Sequence, residues 1–200
     1  SRLGRVEGVE AIPDGAEAES LYRDLLEYVE GRCTRLDWPL DLRLARSPFH
    51  RAVLEATARI PYGAVRSYAG VANEIGKPTA TRAVAQALRT NPLPIVVPCH
   101  RVIGTSGALT GYAGRRTSLK RQLLAVEGVP AVKWARDFRV PRESMYVFAP
   151  DREYCLPTCE WVATTPAQRL VLFGSRERAE AAGLEPCGEC RPDLHPISHG

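Results

Sequence analysis

The chain has 200 residues, enough for one full domain or two small ones, and its 44% apolar and 25% charged residues exclude global disorder. Its longest apolar runs, such as Leu170-Val171-Leu172-Phe173, are strand-sized and fall far short of the roughly 18–20 residues that cross a bilayer, so a membrane protein and a coiled coil are poor readings. The net charge of +4 is uneven: residues 1–45 carry 6 basic and 10 acidic side chains, residues 46–128 carry 12 and 3, and residues 129–200 carry 9 and 10. A basic middle segment attracts phosphate backbones, although a solvated basic face is a common cause of the same excess.

In chain order, Ser1-Arg2-Leu3-Gly4-Arg5 has no apolar core of a secretion signal, and a start at Ser reads as processing or a fragment. Residues 16–32 have helical spacing, with Leu21, Leu25 and Val29 on one face and Gly31 at the stop. Residues 33–46, with Pro39, read as a connector. Ser47-Pro48 predicts a helix start, since Ser caps and Pro arrives with its φ already set. Phe49, Val53 and Ala56 continue as an apolar stripe to Ile60, and Pro61-Tyr62-Gly63 breaks it.

Ser67 is expected to cap a short helix carrying Tyr68, Val71, Ala72 and Ile75, ended by Gly76 and turned by Lys77-Pro78. Thr79 is expected to cap a second helix, Ala80 to Thr90, stopped by Asn91-Pro92. This is the helix-turn-helix pattern, although an ordinary helical hairpin is the commoner cause of that topology taken alone. The second helix is rich in small residues (Ala80, Ala83, Ala85, Ala87), with Arg82 as the long cation of its first turns. Such a surface lets a backbone approach a DNA groove closely. Ile95-Val96-Val97 is expected as a short buried strand leading into Pro98-Cys99-His100-Arg101. A Gly-rich loop, Gly104 to Gly114, then precedes a helix from Ser118 to Val126 with Leu119, Leu123 and Leu124 buried. Residues 129–145 read as a linker. Trp134 and Trp161 read as packing residues, His50 as a surface or capping group, Cys33 as a small filler, and His195 and His199 as parts of a polar tail.

Four of the six cysteines form two close pairs, Cys155-Leu-Pro-Thr-Cys159 and Cys187-Gly-Glu-Cys190, while Cys33 and Cys99 are isolated. One metal site and one working thiol in a reducing compartment fit this usage better than a secreted disulfide framework. C-x3-C, 27 intervening residues and C-x2-C can build a tetrahedral zinc site, and two redox or disulfide pairs are the alternative. Cys99 beside His100 is a candidate nucleophile and base, because the thiolate is the reactive form. Adjacent residues on an extended chain point opposite ways, so a bridging water would join the two. Glu127, the only acid between Glu74 and Asp137, is the candidate to hold the histidine tautomer. An isolated Cys-His is otherwise a buried structural thiol beside a surface imidazole.

Ile60-Pro61-Tyr62-Gly63, Ser67-Tyr68, Arg82-Ala83-Val84, Asn91-Pro92, Pro98-Cys99-His100-Arg101, Gly111-Tyr112 and Leu123-Leu124-Ala125-Val126-Glu127-Gly128 follow in order at tight spacing. Over residues 47–128 the set strongly resembles the DNA-binding and catalytic domain of O6-alkylguanine-DNA alkyltransferases. The resemblance implies an α/β, α-rich fold with a winged helix-turn-helix that sits in the minor groove and flips the damaged guanine out. It implies Cys99 as alkyl acceptor, His100 as water-mediated base, Glu127 orienting it, Tyr68 as proton donor to the leaving guanine, and Asn91 as the bridge to the thiol segment. It implies DNA contacts at Arg82, Ala83, Tyr68 and Arg101, and a base pocket of Pro94, Val102, Tyr112, Ala113 and Gly114. The chain departs from the family at Gly114-Arg115-Arg116, where Gly-Gly is usual, and in residues 1–46, a short remnant in place of an N-terminal sheet domain.

Residues 146–193 resemble the metal-binding domain of the bacterial Ada protein, carried by Cys155-Leu-Pro-Thr-Cys159, Ala179-Glu180-Ala181-Ala182-Gly183 and Pro186-Cys187-Gly-Glu-Cys190-Arg191-Pro192. This resemblance implies a small zinc-stabilised α+β module with Cys155, Cys159, Cys187 and Cys190 as ligands. In Ada the cysteine at the position of Cys155 accepts methyl from phosphotriesters. Here the module follows the alkyltransferase segment and has a shorter lead-in, so a structural or DNA-docking zinc site is the preferred reading. The expectation is a cytoplasmic, monomeric, single-turnover repair protein acting on double-stranded DNA containing O6-alkylguanine, with residues 194–200 as a tail. Its rivals are a non-enzymatic alkylated-DNA reader or methylation-responsive regulator, and a cysteine hydrolase.

Overall fold

The structure is a computed structural model describing residues 14–36, 38–111 and 117–197. Helix α1 (Gly15–Val29) starts where the Asp14 carboxylate accepts the Glu17 N–H at 3.0 Å. Of its expected face, Leu21 and Leu25 are half-buried and Val29 is exposed, while Tyr28 is the fully covered residue. Helix α2 (Pro48–Ala58) has the expected start, with Ser47 Oγ accepting the His50 N–H at 3.1 Å. His50 is itself buried, its Nδ1 accepting the Arg46 N–H at 3.0 Å, so it caps from inside rather than from the surface.

Strand β1 (Ala64–Ser67) runs straight into α3 (Tyr68–Glu74), where Ser67 Oγ accepts the Gly70 N–H at 3.0 Å. Gly76, at φ 68°, turns the chain toward α4 (Thr81–Arg89). Thr79 does not cap this helix. Ala80 holds the cap position without a side-chain bond, because Ala80 N donates to Lys77 O at 2.8 Å and places Thr79 inside a turn.

The expected strand at Ile95–Val97 does not form. Pro94 and Pro98 offer no N–H to a ladder, and Val97 N bonds back to Leu93 O at 2.9 Å with Ile95 at φ 79°. A 3-10 turn, Cys99–Arg101, then leads into β2 (Val102–Ile103), parallel to β1. Helix α5 (Thr117–Val126) buries Leu123 and Leu124 as expected but exposes Leu119. Its covered face is Lys120, Leu123, Leu124 and Glu127, the i, i+3, i+4, i+7 set, with a charged residue at each end.

Residues 129–145, read as a linker, fold into a hairpin of β3 (Val132–Trp134) and β4 (Asp137–Arg139), and bury Val129, Val140 and Met145. Trp134, read as a packing residue, is exposed on it. The remainder comprises β5 (Tyr146–Phe148), β6 (Glu153–Cys155), α6 (Glu160–Thr164), β7 (Val171–Phe173), α7 (Arg176–Ala181) and β8 (Glu185–Pro186).

These strands extend the first sheet rather than building a separate one. The order is β2-β1-β7-β5-β6-β8, with β1 and β7 antiparallel and Val65 opposite Leu172. Side-chain alternation divides the core between the two faces of this sheet. Ala64 and Phe173 join Val53, Leu54, Val71, Val84 and Cys99 on one face. Val65 and Leu172 join Ile103, Leu124, Val140 and Met145 on the other. Among the described residues no helix is long and apolar enough to cross a membrane.

The two halves meet closely at Gly174, where a Cβ would lie 2.2 Å from the Gly128 carbonyl oxygen. Gly174→Ala should therefore destabilise the whole chain by about 2–3 kcal/mol. Thermal unfolding followed by tryptophan fluorescence and by far-UV circular dichroism should show one coincident transition, shifted down together in the variant. Separate transitions for the two halves would contradict the shared sheet.

Candidate functional site

The Cys99 thiol sits at the start of its 3-10 turn, 9% exposed. Asn91, just past α4, donates from Nδ2 to Cys99 Sγ at 3.2 Å and to Val97 O at 2.9 Å, while its Oδ1 accepts the Leu93 N–H at 3.0 Å. One amide thus joins the end of the second helix of the helix-turn-helix to the thiol. His100 and Glu127 are fully buried, with His100 Nε2 2.5 Å from Glu127 Oε1.

Glu127 takes three further donors: the Tyr28 hydroxyl on Oε1, and on Oε2 Arg101 Nε at 2.9 Å and the Gly63 N–H at 3.2 Å. Arg101 also donates from Nη1 to Ile60 O at 2.5 Å and from Nη2 to the Tyr28 hydroxyl at 3.2 Å. The expectation that Arg101 contacts DNA therefore does not hold. Its side chain is buried and committed to the carboxylate beneath the thiol.

The charges follow from these contacts. Burial opposes ionisation of Glu127, but His100 and Arg101 hold its pKa down at about 2. Burial lowers the His100 pKa against the pull of Glu127, so the imidazole is neutral. A neutral ring facing an ionised carboxylate carries its proton on Nε2, which makes Nδ1 the ring's acceptor. Burial raises the Cys99 pKa, and the Asn91 hydrogen bond and the Lys120 charge oppose it. Lys120 is fully buried, donating from Nζ to Val102 O at 2.5 Å and Thr110 O at 3.2 Å. That burial pulls its own pKa down to about 8.

Tyr68 donates to the same Thr110 carbonyl at 3.0 Å, and its ring centroid is 5.6 Å from Lys120 Nζ. Burial raises its pKa, so the phenol stays protonated. Arg82 and Ala83 are exposed on α4, opposite buried Val84 and Leu88. Pro94 is exposed beside the thiol turn, and Val102 is fully buried in β2. Tyr112, Ala113 and Gly114, with Arg115 and Arg116, lie outside the described residues.

Two members of the site escape a search by motif. Tyr28 lies on the same face of α1 as Leu21 and Leu25, at i+7 and i+3, and that register is the signal that marks it for burial. Lys120 occupies an apolar face at helical spacing, where a cation needs buried acceptors.

The second cluster lies at the far end of the sheet. Cys155 ends β6, Cys159 precedes α6, and Cys187 and Cys190 lie on the turn after β8. All four are free thiols whose sulfurs lie within 4.8 Å of one another. A tetrahedral metal with bonds of about 2.3 Å spaces its sulfurs about 3.8 Å apart, so the set fits one ion. The Leu156 N–H also donates to Cys190 Sγ at 3.4 Å. Burial and the neighbouring sulfurs push the Cys155 thiol far up, so this donor set needs a cation among the sulfurs before they can all ionise.

Residues 48–129 match the family described as 6-O-methylguanine DNA methyltransferase, DNA binding domain, and residues 134–193 match the metal binding domain of Ada. The constitutive methylated-DNA–protein-cysteine methyltransferase of Bacillus subtilis is 49% identical over 117 residues, covering 58% of this chain and 68% of that protein. The methylated-DNA–protein-cysteine methyltransferase of Mycolicibacterium paratuberculosis is 47% identical over 127 residues, covering 64% and 72%. The crystal structure of Mycobacterium tuberculosis OGT in complex with DNA superposes with a TM-score of 0.51 at 47% identity, over 55% of this chain and 66% of that one.

Glu127 has a folded pKa of about 2 against an ordinary 4.5. Its stabilisation is therefore full above about pH 4.5 and is lost as pH falls through about 2. Glu127→Gln should cost about 3–5 kcal/mol at pH 7, because it strips Arg101 of its buried partner. Urea unfolding at pH 7 and pH 3 should show the gap between parent and variant narrowing in acid. An equal gap at both values would contradict the assignment. Tyr28→Phe, which removes one donor, should cost about 1–2 kcal/mol.

Proposed function

The chain belongs to the methylated-DNA–protein-cysteine methyltransferase family of DNA repair proteins, and on that premise we propose that Cys99 irreversibly takes the alkyl group of O6-alkylguanine in duplex DNA. The observation that carries this reading is the chain of contacts from Asn91 to the thiol and from neutral His100 to ionised Glu127.

His100, through a bridging water, takes the thiol proton, and Glu127 with Tyr28 and Arg101 fixes the ring that receives it. Lys120 stabilises the thiolate electrostatically. Sulfur then attacks the alkyl carbon in line. A C–S bond forms as the C–O6 bond breaks, and the departing guanine recovers a proton from Tyr68. A thioether has no good leaving group, so each molecule reacts once. Arg82 and Ala83, exposed on α4, face the duplex, with Arg82 filling the space left by the flipped base. Pro94 and Val102 contribute to the pocket for that base. One chain supplies every group in this scheme, which supports a monomer as the working unit.

We further propose that Cys155, Cys159, Cys187 and Cys190 hold zinc in a structural role, within a module of residues 146–193 that follows an alkyltransferase segment of residues 47–128. A bound zinc would keep the four sulfurs as thiolates. Cys155 is 1% exposed, and Asp151, Glu153 and Glu189 line the cavity beside it. Those carboxylates oppose the approach of a phosphate backbone, which supports structure over a second acceptor.

Intact mass and peptide mapping after incubation with an O6-methylguanine duplex should place one methyl per molecule on Cys99, and Cys99→Ser should take none. Binding without any mass change would favour an alkylated-DNA reader, and repeated turnover a hydrolase. Stripping metal with a chelator should release about one zinc per chain and lower the unfolding temperature of the whole shared sheet. A methyl appearing on Cys155 only with methylphosphotriester DNA would overturn the structural role.

A further inference from the structure

We propose that the β3–β4 hairpin is a second DNA-contacting element, gripping phosphates beside the lesion; this rests on the alkyltransferase reading above. The hairpin lies where the two family matches meet, one ending at residue 129 and the other starting at residue 134. It is fastened directly to the loop of residues 104–111, the lesion loop on the alkyltransferase reading: Leu109 N donates to Phe138 O and Val140 N to Gly107 O, both at 2.9 Å, and Ala108 bridges Arg139. Gly107, at φ 89°, permits this approach, since a Cβ there would lie 2.3 Å from Val140 O. The next residue after Leu109 is Thr110, whose carbonyl holds both Tyr68 and Lys120. The hairpin is therefore bonded to the residue adjacent to the carbonyl that holds Tyr68 and Lys120.

Its chemistry suits an anionic backbone. Residues 129–142 carry 4 basic and 1 acidic side chains, whereas residues 143–200 carry 5 and 9. The positive charge beyond the catalytic segment is thus concentrated on this element. Every residue of β3 is exposed, and Trp134 is 59% exposed with the Arg139 guanidinium 4.1 Å from its ring. Arg139 is also paired with Glu143, but Lys133 and Arg136 have no ion-pair partner among the described residues. Ala135 at φ 53° closes the tight two-residue loop that carries Arg136 at the tip. Arg121 of α5, stacked 4.7 Å over Phe138, continues the basic row toward the lesion loop. Cations flanking an exposed aromatic ring fit phosphates on either side of a sugar or a splayed base.

The test compares the full chain with the double variant Lys133→Glu, Arg136→Glu and with Trp134→Ala. Affinity for an O6-methylguanine duplex is read by fluorescence anisotropy across a salt series in a Cys99→Ser background. Methyl transfer is read with Cys99 intact, from the duplex and from the free O6-methylguanine base. The double variant should bind at least tenfold more weakly, with a salt dependence shallower by about two counterions. Trp134→Ala should weaken binding severalfold with the slope unchanged. Transfer from the free base, which has no phosphate, should match the parent, and this also shows that the variants fold. Unchanged affinity and slope, with the parent binding and reacting, would overturn the hairpin's role and point to an acidic protein partner. A parent that neither binds the duplex nor takes its methyl would overturn the alkyltransferase reading and the hairpin's role with it.

Discussion

One buried carboxylate sets the terms for the rest of the molecule. An ionised acid removed from water is costly unless its oxygens are filled with donors. Glu127 fills them with four donors from three separate segments: Tyr28 of α1, the Gly63 backbone before β1, and His100 and Arg101 of the thiol turn. Moving any of these pieces leaves a buried charge short of a donor. The same contacts that hold the N-terminal helix against the core therefore also hold the imidazole in one tautomer beside the thiol. Packing and chemistry share a single constraint here.

The sheet carries that constraint outward. From the thiol turn the chain passes into β2, and from there the ladder runs through β1, β7 and β5 to β6, which ends in Cys155. The cysteine cluster is thus built on the far strands of the sheet whose near strands adjoin the Cys99 turn. A metal in that cluster would stabilise the same sheet that carries the Cys99 turn.

Much of the site is legible in the amino-acid order because it is built from local devices. Ser47 and Ser67 cap as expected, Gly76 turns the chain, and the four paired cysteines come together. The misses are tertiary in origin. Thr79 loses its cap to a turn closed by Ala80, and Ile95–Val97 cannot join a ladder between two prolines. Lys120 displaces Leu119 from the buried face because two carbonyls await its ammonium, which no propensity encodes. Arg101 is drawn inward by an acid 26 residues away. The 129–145 stretch reads as a linker because its partners, Gly107 and Leu109, lie in a loop with no strand signal of its own.

The protonation state of His100 tests this account at its centre. Nitrogen-15 NMR of the folded protein, with His100 assigned by comparison with a His100→Gln variant, reads both ring nitrogens directly. The account predicts a neutral imidazole at pH 7, protonated on Nε2 toward Glu127, with Nδ1 resonating as an acceptor. An imidazolium at pH 7, or a neutral ring carrying its proton on Nδ1, would contradict it.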